Sequence, residues 1–195
     1  MEITKAIILN GSMNTDDFAD KMSAATAERL RDYGWDLETI TLRDVKMSKC
    51  TGCWRCWFAS PGICTINDPG REISAKVMRS HLVVYVSPVT FGGYSSALKK
   101  MVDRLIPNIS PLCVKVGEEV HHEKRYESYP CMIGIGTLPL DDDEEEALFT
   151  TLIERNAINF HITKHHAIVI TEDENTLKIE AELDHMIEDV EQFYA

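Results

Sequence analysis

Residues 81–106 read HLVVYVSPVTFGGYSSALKKMVDRLI, and they decide the fold. His81 to Ser87 is a continuous apolar run of strand length, which predicts a strand buried on both faces. Pro88 stiffens the chain as it leaves that strand. From Gly93 to Ile106 apolar residues recur at helical spacing, which predicts an amphipathic helix. Strand, short loop and helix follow one another within one stretch.

The same alternation extends in both directions. Upstream, Ile3 to Leu9 is a second buried strand, ended by the turn Asn10-Gly11-Ser12. Thr15 to Asp32 carries Phe18, Met22, Ala25 and Leu30 at roughly helical spacing, with Asn14 or Thr15 as the cap and Gly34 as the stop. Trp35 to Leu42 alternates as a strand. Pro69 opens a helix that reaches Ser80. Downstream, Leu112 to Ser128 is charged and irregular and reads as a surface excursion. Tyr129 to Thr137 is a fourth strand, Glu144 to Phe160 a helix, His165 to Thr171 a fifth strand and Leu183 to Phe193 a final helix. The acidic run Asp141 to Glu146 reads as a solvated helix start that suits the dipole. His165 and His166 read as a structural or solvated pair.

Strands alternating with helices predict one α/β domain over residues 1–195, with a doubly wound parallel sheet between two helical layers. Five strands take the order 2-1-3-4-5. Ligands bind such sheets at the carboxyl ends of the strands, here between the first and third.

Bulk properties narrow the function classes. The chain has 32 acidic and 20 basic residues, for a net charge of −12. That balance argues against nucleic acid and against anionic membrane surfaces as partners. No apolar run approaches the roughly 20 residues of a membrane-spanning helix. The N-terminus runs straight into strand-like sequence, which predicts no signal peptide and a cytoplasmic protein.

Two loops leave the strands that flank the expected binding crevice. In the first, Gly11-Ser12-Met13-Asn14-Thr15, small hydroxyl and amide side chains precede a helix start. Ser12, Asn14 and Thr15, with the free N–H groups of the first helical turn, suit a phosphate, or they simply cap the helix. In the second, Pro88, Val89, Thr90, Phe91, Gly92 and Gly93 combine a rigid exit, aromatic character and two glycines that let backbone approach a flat ligand. Phe91 and Tyr94 offer aromatic faces there; the bland reading is an ordinary strand-to-helix turn.

Residues 87–104, SPVTFGGYSSALKKMVDR, resemble the second flavin loop and following helix of the NADPH-dependent FMN reductase family. Pro88, Lys99, Asp103 and Arg104 match that family's pattern in place, Thr90 stands where tyrosine is frequent, and Asn10-Gly11-Ser12 fits its start. The resemblance implies a flavodoxin-like fold, bound FMN, NAD(P)H as electron donor, and assembly as a homodimer or homotetramer.

Residues 46–69 form a long connection rich in cysteine and aromatic residues. Cys50, Cys53, Cys56 and Cys64 spell C-x2-C-x2-C-x7-C within fifteen residues. With no secretory signal, clustering of this kind indicates a metal, cluster or redox site in a reducing compartment. Thiolates at that spacing suit the corners of an iron–sulfur cluster, a tetrahedral zinc or a redox dithiol. The motif is similar to that of the iron–sulfur flavoproteins, a branch of the same family, which implies a [4Fe–4S] cluster on these four cysteines.

The first loop departs from the family pattern. It is short, it lacks the usual basic residue, and Asp16 and Asp17 follow at once, which weakens binding of a phosphate. The loop near Gly136-Thr137-Leu138-Pro139, after the fourth strand, carries no recognisable signature. No histidine or carboxylate in the crevice loops stands out as a general acid or base, so no catalytic residue is nominated. The expected function is FMN-dependent electron transfer from NAD(P)H or a protein donor. The rivals are a non-enzymatic electron carrier or redox sensor, and a flavin-free metal-binding domain on the same scaffold.

Overall fold

The computed structural model describes residues 4–15 and 17–194. Ile3, the expected start of the first strand, and Asp16 lie outside the described residues. The strands are β1 (Lys5–Asn10), β2 (Asp36–Thr41), β3 (Leu82–Pro88), β4 (Ile109–Val116), β5 (Glu119–Lys124), β6 (Cys131–Leu138) and β7 (His165–Thr171). The helices are α1 (Phe18–Asp32), α2 (Arg55–Phe58), α3 (Pro69–Arg79), α4 (Ser96–Asp103), α5 (Asp143–Asn159) and α6 (Thr176–Tyr194). Single 3-10 turns occupy Leu42–Asp44 and Ile106–Asn108.

Five strands make one parallel sheet in the order β2-β1-β3-β6-β7. Counted along the chain without the β4–β5 ribbon, this is the flavodoxin-like order 2-1-3-4-5 that the sequence implies. The sheet is covered on both faces, so its inner strands bury nearly every side chain. Ile7 and Leu9 of β1 join Val83 and Tyr85 on one face, against Ile73 and Val77 of α3, Leu98 and Met101 of α4, and Phe149 and Ile153 of α5. Ala6 and Ile8 join Val84 and Val86 on the other, against Ala19 and Leu30 of α1 and Leu183 and Ile187 of α6. At about 25 cal/mol per Å2 of apolar surface, these two layers are the main stabilising term.

Four local readings are corrected. The cap of α1 is Asp17, whose Oδ1 accepts the Asp20 N–H at 3.0 Å, not Asn14 or Thr15. The chain is still turning there, with the Ser12 hydroxyl donating to the Asn14 carbonyl, so the helix starts later. The helix expected over Gly93 to Ile106 is confined to α4 because Ser95 caps it, Oγ accepting the Leu98 N–H. The expected excursion at Leu112 to Ser128 contains an antiparallel ribbon, β4 with β5, whose exposed faces hide the strand period. The last helix starts at Thr176, not Leu183; its first turns are rich in charge, with Lys178 bridging Glu174 and Glu182. Among the described residues no helix is long and apolar enough to cross a membrane.

Candidate functional site

The carboxyl ends of β1 and β3 lie side by side. Asn10 pairs with Val86, and the Gly11 N–H continues the ladder to the Val86 carbonyl at 2.7 Å. Ser95 ties the two loops together: its hydroxyl donates to the Gly11 carbonyl at 2.5 Å, and its N–H donates to the Ser87 hydroxyl at 2.9 Å. A Cβ on Gly11 would stand 2.7 Å from the Leu98 Cβ, so only glycine lets the first loop seat against α4.

The first loop is polar and internally bonded. Asn10 accepts the Ser12 N–H at 2.9 Å and donates from Nδ2 to Asp20 at 2.7 Å. Ser12 is fully buried. Arg43, from the 3-10 turn after β2, donates from Nη1 to the Ser12 hydroxyl at 2.8 Å and to Asp20 at 2.9 Å. Its Nε is buried and has no partner among the described residues. The hydrogen bond to Asp20 raises the Arg43 pKa above its ordinary value, so the group is a fixed cation. Sequence reading found this loop without a basic residue; the structure supplies one from the neighbouring strand. The signal was the strand order itself, because β2 flanks β1 and its exit reaches the same end of the sheet. Asn14 and Thr15 are exposed at the loop tip. Asp17 is engaged in capping α1.

The second loop closes on itself. The Val89 N–H donates to the Thr137 carbonyl at 3.0 Å, and Thr90 and Gly93 exchange backbone hydrogen bonds of 3.0 Å each. Between them Phe91 has φ 50° and Gly92 φ 69°. A left-handed conformation is costly for an aromatic residue. Phe91 nevertheless holds it with its ring 94% exposed, beside the crevice. Strain retained at an exposed aromatic is the kind of outlier that marks a ligand contact. Tyr94, expected to offer a second aromatic face, is instead buried. It packs edge-on against Tyr85 and Phe149, with its hydroxyl held by Asn156 Nδ2 at 3.2 Å. It lies just before the cap of α4, and packing against Tyr85 of β3 and Phe149 of α5 turns it inward.

The cysteine connection is closed at its base by one buried ion pair. Arg104, 1% exposed, donates from Nη2 to Asp68 Oδ1 at 2.8 Å and from Nη1 to Oδ2 at 3.0 Å. The same guanidinium takes the Ser48 carbonyl at 2.7 Å and the Ile66 carbonyl at 3.3 Å. Asp68 in turn accepts the Ser48 and Gly70 N–H groups, and so caps α3. The hydrogen bond from Arg104 lowers the Asp68 pKa to about 2.

Within this frame Cys50, Cys53, Cys56 and Cys64 all line one cavity of about 350 Å3, walled also by Arg104, Ile106 and Phe160. All four thiols are free. They are not equivalent. Burial, with the neighbouring thiols adding to it, pushes Cys56 up, whereas a backbone hydrogen bond at Arg55 pulls Cys53 down. Trp54, in a left-handed conformation with φ 57°, lies 4.8 Å from Trp57, whose Nε1–H donates to the Ile106 carbonyl. Among the described residues no group of three or more His, Cys, Asp or Glu side chains is arranged to hold a metal ion. The walls of this cavity come from the cysteine connection, α4 and its exit, and α5, and include none of the nominated flavin residues.

A sequence model of the NADPH-dependent FMN reductase family matches residues 4–123. An iron–sulfur flavoprotein of Archaeoglobus fulgidus is 30% identical over 103 residues, 53% of this chain and 46% of that protein. An iron–sulfur flavoprotein of Methanocaldococcus jannaschii is 31% identical over 103 residues, 53% of this chain and 52% of that protein. The chain therefore spans about half the length of the curated relatives it matches. Among solved structures, an NAD(P)H:quinone oxidoreductase from Methanothermobacter marburgensis superposes with a TM-score of 0.70 at 10% identity, over 94% of this chain and 96% of the other. An FMN-dependent NADH-azoreductase from Bacillus anthracis, in complex with FMN, gives 0.64 at 13% identity, over 98% and 100%. At such identities these two likenesses show the fold.

Proposed function

Because the chain belongs to the NADPH-dependent FMN reductase family, we propose that it is an NAD(P)H-dependent flavin mononucleotide oxidoreductase whose crevice lies across the carboxyl ends of β1 and β3. The observation that carries this reading is a fixed cation, Arg43, bonded to the first loop at Ser12, with an exposed, strained aromatic, Phe91, on the second loop, the two loops being joined by Ser95. The residues fit the group. The orphaned Arg43 Nε and the exposed loop of Asn14 and Thr15 suit its phosphate. The tight turn Thr90–Gly93 suits a planar ring. The Asp20 carboxylate beside Arg43 opposes the phosphate, so the affinity depends on how far Arg43 can exchange one anion for the other.

FMN held here would supply the redox chemistry, exchange of a hydride with a nicotinamide and of electrons singly or in pairs with an acceptor. The chain's own part is placement. Pro88 and Val89 fix the height of the second loop, since the Val89 N–H is held by β6. Thr90, Phe91, Gly92 and Gly93 present a rigid edge, and Ser12 with Arg43 holds the tail. Cys50, Cys53, Cys56 and Cys64 are the soft donors that a [4Fe–4S] cluster takes, but they are not gathered to hold a metal in the folded chain, so a cluster would require the cysteine connection to draw them together. A homodimer or homotetramer, an electron-transfer protein as acceptor, and a reducing cytoplasmic setting belong to the same reading.

The test is a visible spectrum of the anaerobically purified protein before and after addition of FMN, followed by steady-state NADPH and NADH oxidation with an added acceptor. A flavin spectrum with turnover supports the enzyme. A flavin spectrum without turnover favours a carrier or sensor. A colourless protein that takes up no FMN overturns the flavin site.

A further inference from the structure

A second cavity, of about 670 Å3, lies against the outer side of α3. Cys64 and Pro107 line both this cavity and the one around the four thiols, so the two are neighbours separated by little more than the Cys64 segment. None of the nominated flavin residues lines it.

Two buried donors in its walls have no acceptor among the described residues. Asn108 is only 3% exposed, and its Nδ2 has no hydrogen-bond partner among the described residues. The Ser74 hydroxyl donates to Asn108 Oδ1 at 3.3 Å, which leaves the donor end of the amide as the unmet one. Arg71 also lines the cavity; its Nε is buried and unpartnered, and its guanidinium meets no carboxylate among the described residues. Arg79, at the end of the same helix, is exposed and lines this cavity as well as another beside Asp36 and Glu38.

The lining also includes one carboxylate, Glu127, which is exposed, so the two arginines exceed it by one charge. A buried donor left unmet costs about 1–3 kcal/mol, so natural structures rarely keep two in one place without an acceptor. Water could meet one donor, but it does not answer an excess of positive charge. The cavity also exceeds the needs of an inorganic ion, and Ile63, Met78 and Pro107 give it apolar wall.

We infer that this cavity binds a small organic anion, whose phosphate or carboxylate head accepts from Arg71 Nε and Asn108 Nδ2 and whose apolar body lies along Met78 and Pro107. This site is independent of the flavin reading.

The test is a titration of the full-length, isotopically labelled protein with AMP, benzoate and adenosine, following the side-chain N–H signals of Arg71 and Asn108. Saturable shifts with AMP or benzoate, and none with adenosine, are expected. Saturation by AMP alone assigns a phosphate head, and by benzoate alone a carboxylate head. Arg71→Gln, a change on a half-exposed helix position, should weaken binding about tenfold or more with the thermal midpoint retained. Failure of both anions to saturate, or equal affinity in the Arg71→Gln protein, overturns the inference.

Discussion

Arg104 and Asp68 are joined by two near-parallel hydrogen bonds, 2.8 and 3.0 Å long, across the base of the cysteine connection. Arg104 is buried and Asp68 partly so, and each partner also binds backbone of that connection and its exit, Arg104 at Ser48 and Ile66 and Asp68 at Ser48 and Gly70. It thereby fixes where the thiols stand, although neither residue is itself a thiol.

Loss of Arg104 should therefore be felt as stability and as loop order. Arg104→Leu strands the Asp68 carboxylate and should lower unfolding free energy by about 3–5 kcal/mol. Urea denaturation measures the first effect. Faster alkylation of Cys56, which is buried in the wild-type protein, measures the second.

The same pair sets an acid limit. Asp68 titrates at about 2 in the folded protein against an ordinary 3.8. A carboxylate whose folded pKa is the lower one adds stability above its unfolded pKa and loses it as pH falls through the folded value. The contribution, about 2 kcal/mol, should be complete above about pH 4 and should drain away towards pH 2. Comparing the pH dependence of stability in wild type and Asp68→Asn isolates it; identical curves would remove Asp68 as the cause.

Arg43→Gln should cost FMN affinity about tenfold to a hundredfold, because a charged hydrogen bond to the phosphate is lost. Riboflavin, which lacks the phosphate, should bind both proteins alike. Fluorescence titration with the two flavins separates a phosphate contact from a general disturbance of the loop, which would weaken both.

Phe91→Gly should move stability and flavin binding in opposite directions. Relief of the left-handed backbone should stabilise the fold by about 1 kcal/mol, since the exposed ring contributes little burial. FMN affinity should fall because the aromatic face is gone. A drop in both quantities would mean that the ring packs in the free protein.

Cys53 is the exposed member of the thiol set, so Cys53→Ser should fold normally. Anaerobically purified wild type should contain iron and acid-labile sulfide in equal amounts, and the variant should have lost most of both. Zinc in place of iron, or four freely titratable thiols with no metal, would refute the cluster.

Much of this was legible in sequence because it is local. The apolar run His81 to Ser87 and the helical spacing after Gly93 depend on neighbours a few residues apart, and the strand order and the crevice followed from the connection rules that such an alternation obeys. The x2 spacings of Cys50, Cys53 and Cys56 likewise announced a joint site. Local pattern failed in the first turns of α6, where charge masked the period, in β4 and β5, whose faces are exposed, and at Tyr94, whose direction depends on Tyr85 and Phe149.

By itself, then, the sequence determined a five-stranded parallel α/β sheet, two loops at its switch point and a set of clustered thiols. Only tertiary structure brought Arg43 to Ser12, joined Ser95 to Gly11, closed the cysteine connection with Arg104 and left Arg71 and Asn108 facing one cavity. The reason is physical. Backbone periodicity is dictated by residues adjacent in the chain, whereas a charge or hydrogen bond is satisfied by whatever packing places within about 3 Å, often from elements far apart in sequence.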